Sequence, residues 1–224
     1  MKVWQKVLLV IGALFVAAGI FTGMKFGWDY SPTGTYTVPD LDSHITDGGS
    51  AFTLIVETDS VNVQLYPTDD TFFVSVSGAL TEERMSVTRL GDTVRIKEQP
   101  LNAFRRIFAS KDAEVIVWLP TDWVGTATLT SDTGRIAVYN VSSPGSTVSI
   151  TTSAGTDHVT DAVDVSLSSF QTLTVSAPNG CISLDEISAS SVTADADSGY
   201  IWAYDITADT LSLTDSDGEV TPDD

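Results

Sequence analysis

The chain has 224 residues, which is enough for one sizeable domain or two small ones. Thirty Asp and Glu against eleven Lys and Arg give a net charge of -19, and this balance excludes a nucleic-acid partner because phosphate binding needs a positive surface. Cys181 is the single cysteine, so an internal disulfide and a cysteine-based metal site are excluded, and two histidines are too few for a zinc site. We therefore expect no metal and no cofactor.

The N-terminus predicts a membrane anchor. Val7 to Met24 is an uncharged, mostly apolar run, and as a helix it would extend roughly 27 Å, enough for the hydrocarbon core. Lys2 and Lys6 precede it, so the positive-inside rule leaves everything after Lys25 outside the cytoplasm. A cleaved signal peptide ending near Ala18 is the alternative. We expect a cytoplasmic stub and anchor over residues 1–28, and a linker rich in Asp, Gly, Pro and Thr over residues 29–50.

The remainder, residues 51–224, reads as β-structure. Alternating runs at Phe52–Val56, Val61–Tyr66 and Phe72–Val76 predict strands, and a hairpin is expected around Leu90-Gly91-Asp92. A further strand ends at Pro120.

Glycines mark a repeat in the second half of the chain. They are Gly134, Gly155, Gly180, Gly199 and Gly218, spaced 21, 25, 19 and 19 residues apart. Periods near twenty with short strands are typical of a β-solenoid, in which stacked coils bury a shared apolar interior. Each glycine is expected to supply a turn conformation with positive φ. The 25-residue step indicates an insertion in one coil.

Apolar positions keep fixed distances from these glycines. The columns are Ala127, Val148, Leu173, Val192 and Leu211, seven before; Leu129, Ile150, Val175, Ala194 and Leu213, five before; Ile136, Asp157, Ile182, Ile201 and Val220, two after; and Val141, Ala162, Ile187 and Ile206, seven after. These columns predict the inward-facing positions, and Asp157 breaks the pattern.

The columns also predict which side chains face solvent. Because Ile201 and Ala203 point inward, Tyr200, Trp202 and Tyr204 point outward. Tyr139 falls in the same outward column as Tyr204. These aromatic residues are the candidate binding site, since Trp and Tyr are typical interface anchors. The alternative is an aromatic ladder between neighbouring coils without a ligand.

A polar column lies six residues after each glycine: Asn140, Asp161, Glu186, Asp205 and Asp224. Stacked carboxylates of this kind bind calcium in some proteins. The sequence lacks an EF-hand pattern, so solvated corners are the favoured interpretation.

The order of these features resembles the bacterial putative-adhesin family of β-strand-repeat proteins, whose domain has no established function. The resemblance is carried by the anchor ending in Gly27-Trp28-Asp29, by the opening segment SVNVQLYPTDD, by the segment VIVWLP, and by the Ser/Asp-x-Gly-x-Ile units. It implies an all-β fold, a right-handed β-solenoid or β-helix-like stack of short strands after one transmembrane helix, related to the toast-rack domains of envelope-stress proteins.

Seven of the eleven basic residues lie between Arg84 and Lys111. Within this stretch Phe104, Arg105, Arg106, Ile107 and Phe108 form a basic segment that we expect either to cap the solenoid or to face anionic lipid.

The sequence shows no nucleophile with a neighbouring base, so we expect no catalytic residue and no enzyme. The resulting expectation is a single-pass membrane protein with its domain outside the cytoplasm. Its function is that of a non-enzymatic surface binding module, or adhesin, for a cell-envelope glycan or protein. The alternative is a regulatory component of an envelope-stress system that acts through other membrane proteins. The oligomeric state is left open.

Overall fold

The computed structural model describes residues 34–36, 51–69, 71–78, 84–99, 113–155, 161–215 and 220–223, with backbone alone for 34–36 and 220–223. The strands of this part are β1 (Gly34–Tyr36), β2 (Ala51–Thr58), β3 (Asn62–Thr68), β4 (Phe73–Ser77), β5 (Met85–Leu90), β6 (Thr93–Glu98), β7 (Glu114–Pro120), β8 (Val124–Ser131), β9 (Ile136–Tyr139), β10 (Ser142–Thr152), β11 (Val163–Ser176), β12 (Ile182–Ala196), β13 (Ile201–Asp215) and β14 (Val220–Asp223).

The strands build an all-β solenoid with two main faces. On the first face the neighbours run β5, β6, β2, β8, β10, β11, β12 and β13, and every pairing except β5 with β6 is parallel. On the second face they run β1, β4, β7, β3, β9, β11, β12, β13 and β14. The strands β11, β12 and β13 are long and bend, so that each contributes its first half to the second face and its second half to the first face.

The predicted inward columns are confirmed by the strand register. Ala127 pairs with Val148, Val148 with Leu173, Leu173 with Val192, and Val192 with Leu211. The first four are fully buried. Burial of these side chains removes apolar surface from water, and each Å² removed contributes about 25 cal/mol to the free energy of unfolding. The stacked columns are therefore the main source of stability.

The repeat glycines that the structure describes, Gly134, Gly155, Gly180 and Gly199, do not have positive φ, so the sequence-based interpretation of their role was wrong for these four. Among the described glycines, positive φ occurs at Gly78 and at Gly91, the latter in the β5–β6 hairpin that the sequence predicted. Gly199 is required for another reason: a Cβ there would lie 2.3 Å from the carbonyl oxygen of Gly180 on the neighbouring coil. A Cβ on Gly134 would lie 2.3 Å from the carbonyl oxygen of Val61. The coils approach one another at these glycines too closely for a side chain.

Positive φ occurs instead at the polar corner column. The residues are Asn140, Leu167, Glu186 and Asp205, with φ between 50 and 57. This αL conformation turns the chain away from the second face on four successive coils. Its conformational free-energy penalty is smaller for Asn and Asp than for Leu.

The insertion shifts one coil by six residues relative to the glycine count. Val163, and not Asp157, pairs with both Ile136 and Ile182. Likewise Ser168 replaces Ala162 opposite Ile187. Leu167 takes the corner position that the sequence assigned to Asp161.

The order of the coils in space differs from their order in the sequence. The coil of β6 and β7 lies below that of β2 and β3, because β6 pairs with β2 and β7 with β3. The antiparallel strands β4 and β5 flank it. At the opposite end β14 pairs only with the first half of β13, so Leu211 is 46% exposed.

Two sequence-based expectations lie mainly outside the described residues. The predicted anchor over 1–28 is one, and no helix in the described part of the chain is long and apolar enough to cross a membrane. The basic segment from Phe104 to Phe108 is the other. Within the expected linker, residues 34–36 pair as β1 with β4.

Candidate aromatic and acidic binding face

The outward aromatic residues of β13 lie where the alternation placed them. Ile201 is fully buried and Ala203 is 5% exposed, whereas Trp202 is 61% and Tyr204 55% exposed. Tyr200 is half-buried, and its ring centroid lies 5.9 Å from that of Trp202. A side-chain hydrogen bond with Cys181, together with burial, raises the pKa of Tyr200 to about 12, so this ring is neutral at physiological pH.

The rung beneath these rings carries small or acidic side chains. Trp202 pairs in register with Ser183, and Tyr204 pairs with Asp185. Among the described residues neither ring stacks on an aromatic neighbour in the adjacent strand. The exposed parts of both rings are therefore accessible to a ligand, and Trp and Tyr are typical anchors of interfaces.

Tyr139 lies in the same column as Tyr204 but apart from it. The column runs from Tyr139 through Ser166 and Asp185 to Tyr204. Three strand spacings separate the two tyrosines, or about 14 Å. The Ser166 and Asp185 side chains between them are short, so Tyr139 and Tyr204 border a depression on the second face.

Tyr139 also ends an aromatic ladder that the sequence did not reveal. The ring centroids of Phe73 and Trp118 are 5.4 Å apart, those of Trp118 and Tyr66 5.3 Å, and those of Tyr66 and Tyr139 5.3 Å. The alternation along each strand indicates that these residues face outward. Their adjacency depends on the pairing of β4, β7, β3 and β9, which are distant in sequence. Rings stacked in this way cover one another, so the ladder contributes packing more than free ring surface.

A cleft of about 410 Å³ opens beside Tyr139. Its lining residues are Asn62, Val63, Gln64, Glu114, Arg135, Ile136, Ala137, Tyr139, Asp161 and Asp164. The hydroxyl of Tyr139 donates a hydrogen bond to Oδ2 of Asp164 at 2.8 Å, and the amide of Gln64 donates to Glu114. The hydroxyl, amide and carboxylate groups that line the cleft can form hydrogen bonds with a polar ligand.

The carboxyl groups of this region disfavour one another's ionisation. Burial raises the pKa of Glu114, and burial together with the neighbouring Asp164 raises the pKa of Asp161. Burial also raises the pKa of Asp164; the hydrogen bond from Tyr139 opposes this rise and the charge of Asp185 adds to it. Burial and the bond to Asp164 raise the pKa of Tyr139. Burial is the largest cause of each of these carboxyl shifts, and the charge of Arg135 opposes the rise at Asp161.

The outward positions of the first face are different. On β8, β10 and β11 the outward positions include Val124, which is 49% exposed, and are otherwise mostly Thr or Ser: Thr126, Thr128, Thr130, Thr147, Ser149, Thr151, Thr172, Thr174 and Ser176. These residues suit a solvated β-sheet and carry neither rings nor charges. These three strands of the first face therefore lack the aromatic rings and carboxylates that the second face presents, whereas β2 and β6 of the first face carry the exposed ion pairs of Glu57 with Arg95 and Lys97.

Within the part of the chain that the structure describes, no group of three or more His, Cys, Asp or Glu is arranged to hold a metal ion.

Solved structures with a similar arrangement of strands come from several bacteria. A "putative cell adhesion protein" from Clostridium sporogenes is 8% identical, with 85% of this chain and 98% of that chain covered and a TM-score of 0.45. A "putative adhesin" from Bacteroides fragilis is 14% identical, with coverage of 82% and 92% and a TM-score of 0.37. A "putative lipid binding protein" from Parabacteroides distasonis is 11% identical, with coverage of 86% and 96% and a TM-score of 0.30. Similarities at these scores carry no argument about what this chain binds.

No curated protein shows significant similarity to the chain. The family model described as Toastrack DUF4097 matches residues 53–224, which is nearly all of the described solenoid. This match confirms the resemblance found in the sequence, and the chain belongs to the Toastrack DUF4097 family.

Proposed function

We propose that the chain is a non-enzymatic binding module that attaches to a glycan chain of a cell envelope through its second face. The observation that carries this proposal is the exposure of Trp202 and Tyr204, at 61% and 55%, on a rigid strand with short side chains on the rung beneath. Exposed aromatic pairs of this kind mark interaction sites more often than isolated apolar residues do.

The arrangement of groups on this face fits a sugar chain. The apolar faces of sugar rings pack on Trp202 and Tyr204, while sugar hydroxyls donate hydrogen bonds to carboxylates such as Asp164 and Asp185. Tyr139 borders the far side of the depression, where the cleft adds further polar groups. A ligand that lies across the strands along this column contacts the ring of Tyr204, then the carboxylate of Asp185, and finally the ring of Tyr139.

The position of the module relative to the membrane is part of the same proposal. The apolar run from Val7 to Met24, with Lys2 and Lys6 before it, supports a single-pass anchor that leaves the solenoid outside the cytoplasm. An anchored domain with a ligand-binding face acts as an adhesin for surfaces that the cell meets or for its own envelope.

Binding of the protein to a panel of immobilised envelope polysaccharides tests the proposal. We expect Trp202→Ala to weaken the best interaction about tenfold or more, as loss of a central aromatic anchor does. The control is Leu90→Ala, which removes a side chain that is 86% exposed at the other end of the solenoid. Equal binding by Trp202→Ala and the unmodified protein contradicts the assignment of the site.

In-cell crosslinking separates this proposal from the regulatory alternative. Recovery of wall polymers supports the adhesin, whereas recovery of membrane sensors or transporters, with no polysaccharide bound in the panel, supports a component of an envelope-stress system.

A further inference from the structure

We infer that the ligand of the second face is positively charged, and specifically that it is an amino-sugar polymer with free amino groups. This inference rests on the proposed binding function and adds the charge of the ligand. It follows from the way acidic and aromatic side chains alternate on this face.

The carboxylates lie beside the exposed rings. Asp185 occupies the rung next to Tyr204 in the same outward column, about 5 Å away by strand spacing. Asp164 lies in the column of Trp202, with only Ser183 between them. A cationic group on this surface therefore meets a carboxylate and the face of a ring together.

Among the described residues, basic groups are scarce beside these carboxylates, and the charge of Arg135 opposes the rise in the pKa of Asp161. Arg135 is the one basic residue that lines the adjacent cleft, and no Lys or Arg follows it in the sequence. Burial is the main cause of the raised pKa of Asp164, and repulsion by the negative charge of Asp185 adds to it. An ammonium group placed between the two relieves this repulsion.

Aromatic rings strengthen the preference for a cation. The indole of Trp is the ring that best attracts an ammonium group over its face, and a nearby carboxylate adds to that attraction. A neutral sugar packs on the rings and donates hydroxyl hydrogen bonds to the carboxylates, whereas an amino sugar adds a charge interaction with the carboxylates and the rings. The amine is therefore expected to bind about tenfold more tightly than its neutral counterpart. Two modest charge interactions, one with a ring and one with a carboxylate, provide a gain of this size.

The test uses two ligands with the same backbone, oligomers of β-1,4-linked glucosamine and the same oligomers fully N-acetylated, at a mildly acidic pH where the free amines are protonated. Affinities for the full-length protein in neutral detergent are measured at low and at high salt. The expected result is about tenfold tighter binding of the free amine at low salt, with an advantage that shrinks as salt is added.

Variants distinguish a site from general attraction to a chain of net charge -19. Asp185→Asn is expected to remove most of the advantage of the amine and to weaken the acetylated oligomer much less, because the Asn side chain keeps an oxygen that accepts a hydrogen bond. Asp209→Asn is the matched control, because it removes the same charge from an exposed position on the neighbouring strand β13. Trp202→Ala is expected to weaken both oligomers.

Each other outcome has a definite meaning. Equal affinity for the two oligomers overturns the charge inference and leaves the glycan-binding proposal intact. Binding of neither oligomer or of any panel polysaccharide overturns both. Binding of the amine that responds to salt, but neither to Asp185→Asn nor to Trp202→Ala, reflects net charge alone and overturns the inference.

Discussion

Leu173 and Leu211 belong to the same inward-facing column, yet Leu173 is fully buried whereas 46% of Leu211 is exposed. The difference arises because Leu173 lies between two strands, while no described strand pairs with the outer edge of β13 beyond residue 210. The apolar interior of the solenoid thus reaches an uncovered end at Leu211.

This difference predicts unequal effects of the same substitution. Leu173→Ala should lower the free energy of unfolding by about 3 kcal/mol, because it leaves a cavity in a packed interior. Leu211→Ala should lower it by about 1 kcal/mol or less, since its side chain is already half in water. Urea denaturation of both variants measures the difference. A loss of about 3 kcal/mol for both would mean that Leu211 is covered in solution.

Glu98 is predicted to stabilise the turn between β2 and β3. Its carboxylate accepts hydrogen bonds from the backbone N–H groups of Asp59, Ser60 and Val61 at 2.7, 2.9 and 3.2 Å, and it forms a buried ion pair with Arg84. Glu98→Gln leaves Arg84 as a buried charge without its partner, which should cost about 3 kcal/mol. Glu57→Gln is the control, because its pairs with Arg95 and Lys97 are exposed and worth less than about 1 kcal/mol.

The same carboxylate predicts a loss of stability in acid. Burial alone raises the pKa of Glu98, but the hydrogen bonds from Ser60, Arg84 and Asp59 outweigh it and hold the pKa below its ordinary value of 4.5. Because the pKa is lower in the folded than in the unfolded chain, the stabilisation is complete above about pH 4.5 and is lost as the pH falls through the folded value. Urea denaturation as a function of pH should show this loss in the unmodified protein. An equally steep acid dependence in Glu98→Gln would assign it to other groups.

Much of the solenoid could be predicted from the sequence because its repeat is regular. Apolar residues at fixed distances from the glycines identified the inward columns, and the alternation in β13 identified Trp202 and Tyr204 as outward-facing. These predictions needed only the period of the coil and the two-residue alternation of a strand.

Other features depend on contacts that the repeat does not encode. The ladder from Phe73 to Tyr139 requires β7 to lie beside β3, although some fifty residues separate Gln64 from its hydrogen-bonded partner Glu114. The register after the insertion was missed because the glycine count assigns Asp157 to a position that Val163 fills. The role of the glycines was missed because close approach and positive φ both favour glycine.

The close approach of coils at Gly199 predicts a specific intolerance to side chains. Gly199→Ala places a Cβ 2.3 Å from the carbonyl oxygen of Gly180, so the backbone must shift, at a cost of about 2 kcal/mol. At Gly155 the nearest atom to the added Cβ is the carbonyl oxygen of Asn179, 4.0 Å away. Gly155→Ala should therefore leave the free energy of unfolding within about 0.5 kcal/mol of the original. Thermal unfolding compares the two, and equal tolerance at both glycines would refute the close approach.

Leu167 is predicted to be a site where substitution stabilises the protein. It has φ of 51 at the corner where the neighbouring coil has Asn140, and a branched side chain in this conformation carries a penalty of about 1 kcal/mol. Its side chain is 48% exposed, so little buried surface is lost on replacement. Leu167→Asn should raise the free energy of unfolding by about 0.5 to 1 kcal/mol, because Asn adopts this conformation more readily. Leu167→Ala keeps the Cβ and lacks the amide, so it should give no comparable gain in urea denaturation. If Leu167→Asn instead destabilises the protein, the contacts of the Leu167 side chain outweigh the strain of its backbone.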